Sequence, residues 1–330
     1  MEMRLIVGLI LILMPSLIWL LLRPIHSPWW LENILSSPLI ILVIFSFLML
    51  ILSNFFSYLH SLSYYLSGFL VNFILVIFLN NTISLTNLAC SDSVTFFQFN
   101  IKYSEKEHEL SELIEHLIAK QYHLIALQGV SQHSKQQIIE KLSPYYPYFI
   151  RGENVHQQVY SDQLLFSRYA FSNIKYYKNG HRAFLIASQW HLPLTDIHLY
   201  TLHPPSPRNE NFWRSRNQTL YQLNYALKTS LMHGPSVEGS QVNNLLMSRS
   251  LVIGDLNISK HSNRINLLKQ GMNTEFVNSW PNQRYVTSFL GVAIDHFFVS
   301  KPTNICVRQR INKFSWSDHY AIKTQVDFKK

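Results

Sequence analysis

A chain of 330 residues with a net charge of +9 is long enough for one large domain plus a further segment. Its composition breaks near residue 90: the first 90 residues hold only Glu2, Arg4, Arg23 and Glu32 as charged groups, so the whole positive excess lies in residues 91–330 and suits an anionic partner such as nucleic acid, phospholipid headgroups or another phosphate compound. Two widely separated cysteines, Cys90 and Cys306, exclude a zinc site and a disulfide framework, leaving room only for a single bridge in an extracytoplasmic domain.

Three apolar runs come first. "LIVGLILILMPSLIWLLL" covers 5–22, "PLIILVIFSFLMLILSNFF" covers 38–56, and "YYLSGFLVNFILVIFL" covers 64–79 with Gly68 and Asn72 inside it. Crossing ~30 Å of hydrocarbon takes roughly 17–25 apolar residues, so three membrane spans are predicted. A cleaved signal peptide explains the first run but not three in succession. The expected division is a transmembrane region over 1–90 and a soluble domain over 91–330. An odd number of spans puts the amino terminus and the soluble domain on opposite sides. The flanking charges discriminate little, and we place the amino terminus inside and the domain outside.

From residue 93 short β-rich runs alternate with amphipathic helices. "VTFFQF" (94–99) predicts a strand, and Leu110, Leu113, Ile114, Leu117 and Ile118 recur at helical spacing within 105–120. "HLIALQ" (123–128) predicts a buried strand, and 134–142 a helix. Strands follow near 162–167, 183–190 and 197–202, then a long helix around 212–233 and a polar loop over 234–248. "SLVIG" (250–254) is a strand, 262–270 a short helix, and 294–299, 304–310 and 320–327 closing strands. So many strands with few helices point to an α/β fold with a mixed sheet or a two-sheet sandwich, not a doubly wound parallel one.

No glycine-rich phosphate loop, nucleophile-elbow serine or "HExxH" is present. Instead, Asp, Asn and His residues stand at strand ends. "LVIGDLN" sets Asp255 and Asn257 past a buried strand, where residues two apart point the same way in extended chain, unless they form an Asx turn. "GVAIDHFFVS" heads an apolar strand with Asp295. "FSWSDHYAI" sets Asp318 beside His319, a carboxylate next to an imidazole, which suits a metal ligand beside a proton-transfer group. "YTLHPPSP" ends a strand at His203, and "FFQFNI" ends one at Asn100.

The order Asn, His-Pro-Pro, Gly-Asp-x-Asn, Ile-Asp-His, Ser-Asp-His resembles the endonuclease/exonuclease/phosphatase superfamily over about residues 93–328. "LLFSRYAF" and "SWPNQRYVTSF" add subsidiary likenesses. Three spans ahead of such a domain resemble the family's bacterial membrane-anchored branch, which includes a teicoplanin-resistance protein. The resemblance implies a four-layer α/β sandwich, two mixed sheets face to face with helices outside, and hydrolysis of a phosphoester assisted by magnesium or manganese. Carried over residue by residue, it implies that Asn100 and Asp318 hold the metal and that Asp255 positions or deprotonates the attacking water, with Asn257 beside it on the phosphate. His319, steered by Asp295, moves a proton or stabilises the phosphate, and His203 contacts the phosphate or leaving oxygen. A phosphorylated substrate is then expected, either a lipid-linked phosphate at the membrane or nucleic acid.

One departure stands out. The family's second strand normally ends in Gln-Glu-Val, with the Glu a direct metal ligand, whereas this chain reads "LQGV" with Gly129. Gln128 is expected on the other face, and Glu153 lies in a different segment. Losing one carboxylate weakens a hard cation's binding without abolishing it. The competing expectation is a catalytically silent domain that binds a phosphorylated ligand or partner.

Overall fold

The computed structural model describes residues 17–22, 24–25, 27–36, 70, 72–74, 93–154, 156–193, 195–232, 249–283 and 291–328. The expected membrane spans and the 234–248 loop therefore lie almost wholly outside the described residues. Among the described residues no helix is long and apolar enough to cross a membrane.

The chain divides into two units, Met1–Ile83 with Ser259–Asn266, and Ser84–Ile258 with Leu267–Lys330. In the first, the helix Trp29–Leu35 starts after Pro28, whose missing N–H and fixed φ suit a helix entrance. Trp19 Nε1 donates to Leu35 O at 3.0 Å. Glu32 is buried, and its carboxylate accepts from Arg264 Nε at 3.1 Å and from Ser262 Oγ at 3.3 Å. A buried carboxylate left without such donors would be costly.

The second unit is built on two mixed sheets. One has the order β13-β14-β1-β2-β6-β3, and the other β11-β12-β10-β9-β8-β5-β4 with β7 also on β8. In the first sheet β1 (Val94–Asn100) lies parallel to β2 (Leu124–Gln128) and antiparallel to β14 (Ala321–Asp327), flanked by β13 (Asn304–Ile311), β6 (Leu164–Ser167) and β3 (Tyr148–Ile150). In the second, β10 (Ser250–Asp255) lies parallel to β9 (Thr195–Leu202) and antiparallel to β12 (Asp295–Ser300). β8 (Arg182–Leu192), β7 (Phe171–Asn179), β11 (Met272–Thr274) and the two-residue β4 (Glu153–Asn154) and β5 (Val159–Tyr160) complete it.

Alternation along the strands sorts the core into two faces. Phe96, Leu124, Ala126 and Leu165 of the first sheet meet Trp190, Leu199, Leu251, Ile253 and Phe297 of the second. Phe97, Phe99, Ile125 and Leu127 point outward beneath α1 (Glu107–Lys120) and α2 (Gln132–Leu142), whose apolar stripes cover them. α3 (Glu210–Met232) packs on β7 and β8 at the far side, which gives the expected four layers. Both central strands, β1 and β10, deliver polar side chains at their carboxyl ends: Asn100 and Asp255.

Candidate active site

Register brings the first carboxylates together. Leu251 and Ile253 of β10 enter the inter-sheet core, so Asp255, next in that series, faces inward as well. On β12, Asp295 is paired directly opposite it. Two buried carboxylates face to face repel, and burial together with Asp295 pushes the Asp255 pKa up. His319, at the head of β14, relieves the repulsion. Its Nδ1 lies 2.8 Å from Asp295 Oδ2, and its Nε2 3.7 Å from Asp255 Oδ2. Burial works against a charged ring, but Asp295 and then Asp255 outweigh it and lift His319 to about 9, so it is an imidazolium at neutral pH. Burial likewise pulls Asp295 upward, yet the His319 charge and hydrogen bond hold its carboxyl below the usual range. The adjacent His296 turns to the other face. Burial pushes it down to about 4, and it is a neutral core residue bonded to Ile258 O.

A second imidazole stands on the other side of Asp255. His203 follows β9, with Nε2 3.8 Å from Asp255 Oδ2 and Nδ1 3.0 Å from Asp162 Oδ2. Burial opposes charge on His203, but Asp162 raises its pKa. Asp162 in turn accepts from the Tyr103 hydroxyl and from Arg182. Against the upward pull of burial, His203 and Arg182 keep the Asp162 carboxyl far below its ordinary value. Asp255 is thus flanked by two imidazoles, each backed by its own carboxylate. Asp162, Tyr103 and Arg182 were not legible as site residues. The available signal was an Asp two positions ahead of the apolar strand beginning at Leu164.

Asn100 orients Asp255. Its Nδ2 donates to Asp255 Oδ2 at 2.9 Å, and its Oδ1 accepts from the Lys102 backbone N–H at 2.9 Å. The reversed amide would set donor against donor and acceptor against acceptor, so both partners fix the orientation. Asn257 departs from expectation. The chain leaves extended geometry there (φ 50), and its backbone N–H donates to Asp255 Oδ1 at 2.9 Å. This is the Asx turn, and the Asn257 amide donates to Pro204 O at 2.9 Å instead of lying beside Asp255. Gln128 also departs, since it is the register partner of Asn100 and shares that residue's face. Glu153 sits 3.6 Å from Lys135, in a separate ion pair.

At the mouth lies Asp318, which is partly exposed. Its Oδ2 is 3.3 Å from Lys102 Nζ and accepts from Trp280 Nε1 at 3.3 Å. Asn282 clasps the surrounding loop, its amide donating to Phe314 O, Ser317 O and His319 O. Gly129 borders the same region: a Cβ there would lie 2.5 Å from Asn100 Oδ1, and its φ of +60 is one that side chains rarely adopt. Three buried groups, Asp255, Asp295 and His319, could hold a metal, with ligand atoms within 4.8 Å of one another, although an ion there must first displace the His319 proton. The set implied by the resemblance does not fit a divalent cation. Asp318 is its sole carboxylate and faces an ammonium, Asn100 Oδ1 is engaged by a backbone N–H, and Gly129 offers no ligand.

The sequence pattern of the Endonuclease/Exonuclease/phosphatase family matches residues 97–319. The chain belongs to this family. Solved structures with the same fold include beta toxin from Staphylococcus aureus, 12% identical with a TM-score of 0.53, covering 70% of this chain and 99% of that one. D. rerio TDP2 complexed with a single-strand DNA product is 14% identical with a TM-score of 0.53, covering 72% of this chain and 100% of that one. An endonuclease/exonuclease/phosphatase family protein from Bacteroides thetaiotaomicron is 13% identical with a TM-score of 0.52, covering 72% and 99%. A beta toxin variant has been solved with bound magnesium ions. No protein of curated function matches the chain. Family members are typically metal-dependent phosphoesterases.

Proposed function

We propose that the chain hydrolyses a phosphoester, with Asp255 as the group that orients and deprotonates the attacking water. The observation that carries this reading is Asp255 Oδ2 lying between His319 Nε2 at 3.7 Å and His203 Nε2 at 3.8 Å. The water gives a proton to Asp255 as its oxygen bonds to phosphorus. The ester oxygen then leaves with a proton from the His319 imidazolium, and transfer from Asp255 to that ring restores both groups. Burial favours the protonated form of Asp255, so its carboxylate is more basic than one in water, as this role requires. The His319 imidazolium, fixed by Asp295, stabilises the charge that develops on the phosphate without having to reorganise, and His203, beside Asp162, lies on the other side of Asp255. Magnesium or manganese, expected from the resemblance, is assigned no step.

The finer reading is a membrane-anchored enzyme with its domain outside the cytoplasm. The apolar runs before residue 90 support anchoring. Cys306 is disulfide-bonded, a state that supports an oxidising compartment. Anchoring favours a lipid-linked phosphate in the same plane, and the basic charge suits that or nucleic acid. We would assay the full chain in detergent micelles against an aryl phosphodiester, a phosphorylated lipid and a single-stranded oligonucleotide, beside Asp255→Ala. Turnover of at least one, lost in the variant, is expected. Binding of these ligands with no turnover of any would leave the silent-binding alternative standing.

A further inference from the structure

We propose that Lys102 takes the place of the divalent cation at the mouth of the site, its ammonium supplying positive charge to the substrate phosphate. This rests on the phosphoester reading of the same site. Three observations converge on it. The Lys102 ammonium lies 3.3 Å from Asp318 Oδ2, the carboxylate that the resemblance assigns to the metal. Gly129 occupies the position of the carboxylate that would complete a metal's ligand set, and its left-handed backbone, 2.5 Å short of Asn100 Oδ1 at the Cβ, leaves no room for a side chain without displacement. Lys102 and Tyr103 are consecutive residues at φ 50 and 56, a conformation that side chains avoid. This strained turn is fixed by the Lys102 N–H on Asn100 Oδ1 at 2.9 Å and the Tyr103 N–H on Gly129 O at 2.6 Å.

The Lys102–Asp318 pair is a weak one. With Lys102 60% and Asp318 36% exposed, solvent screens the attraction, and such pairs contribute little. Its importance is positional. A divalent ion on Asp318 would have to sit against an ammonium, while a phosphate arriving at Asp255 meets a flexible point charge with three donors. The absent carboxylate and the Lys102 ammonium shift the mouth in the same direction, towards binding an anion directly. Tyr103 links this turn to the buried network, because its hydroxyl donates to Asp162 behind His203.

The test is calorimetric titration of the full chain with inorganic phosphate, first in EDTA and then in magnesium. Binding is expected in EDTA, with little change in magnesium. Lys102→Met should weaken it by about tenfold or more, as removal of a charge-assisted hydrogen bond does. Lys102→Arg should keep most of the affinity, which separates charge from a structural effect. Phosphate binding that requires magnesium, or that is unchanged in Lys102→Met, overturns the proposal. Aryl phosphodiester turnover measured alongside keeps the two readings apart. Phosphate binding as expected without turnover defeats the hydrolase reading alone. Magnesium-dependent binding with turnover defeats the Lys102 assignment alone.

Discussion

Asp255 is placed where charge is disfavoured, opposite a second carboxylate, and the His319 imidazolium offsets that cost. Removing the ring's support should therefore matter more than its size suggests. Asp295→Asn is expected to lower turnover by about 10²–10⁴, the range of a lost acid–base group, because His319 then loses both its orientation and its charge. The same pairing gives a stability signature. His319 has its pKa raised to about 9 in the fold from an ordinary 6.5, so its contribution is fully present below about 6.5 and is lost as the pH rises through about 9. Denaturation midpoints measured across that window should fall with rising pH in the wild type and much less in Asp295→Asn. An equal fall in both would remove the charge assigned to His319.

At the scale of elements, the turn after β2 matters most, because Gly129 stands where the family ordinarily has a metal ligand. Adding a carboxylate there is no simple restoration, since the backbone is left-handed and the Cβ meets Asn100. Gly129→Ala should cost about 1–3 kcal/mol of stability and lower turnover through Asn100. Gly180→Ala is its control, with a similar φ of +63 but no heavy atom within 4 Å of the added Cβ. It should cost less and leave turnover intact, as denaturant titration and the aryl phosphodiester assay will read. Most strands were legible because β1, β2, β6, β10 and β12 carry apolar runs bounded by turn residues, and β9 alternates polar with apolar residues. β7 was missed because its two faces are both half-exposed and carry Lys175 and Lys178 among aromatics. β4 and β5 are two residues each, too short for any periodicity. The motif residues Asn100, His203, Asp255, Asp295 and His319 were legible by type and order, and the fold gathers them. The opposition of Asp255 to Asp295, the Asp162–His203 contact and the Lys102–Asp318 pair depend on register and long-range folding, which a linear pattern does not carry. At Asn257 the sequence leaves extended chain and an Asx turn both open, and the fold takes the turn, with φ at 50 and its N–H on Asp255 Oδ1.

In the whole molecule, two sheets meet through one aromatic-rich interface. Phe96 lies edge-on to Trp190, Phe297 and Phe328 at 5.0–6.3 Å. Phe96→Ala should cost about 3–5 kcal/mol, read by denaturant unfolding, because it leaves a cavity in the fully buried core between the sheets. The disulfide at Cys306 provides a second global test: a reductant should lower stability by about 2–4 kcal/mol. The central claim is that Asp255 and its imidazoles act as one hydrolytic unit. The most direct measurement is turnover of an aryl phosphodiester by the full-length wild type, Asp255→Asn, His319→Gln and the double variant. Each single change should remove about a hundredfold or more of the rate, and the double variant should lose little beyond either, as residues acting together do. Wild-type turnover that survives Asp255→Asn would contradict the account.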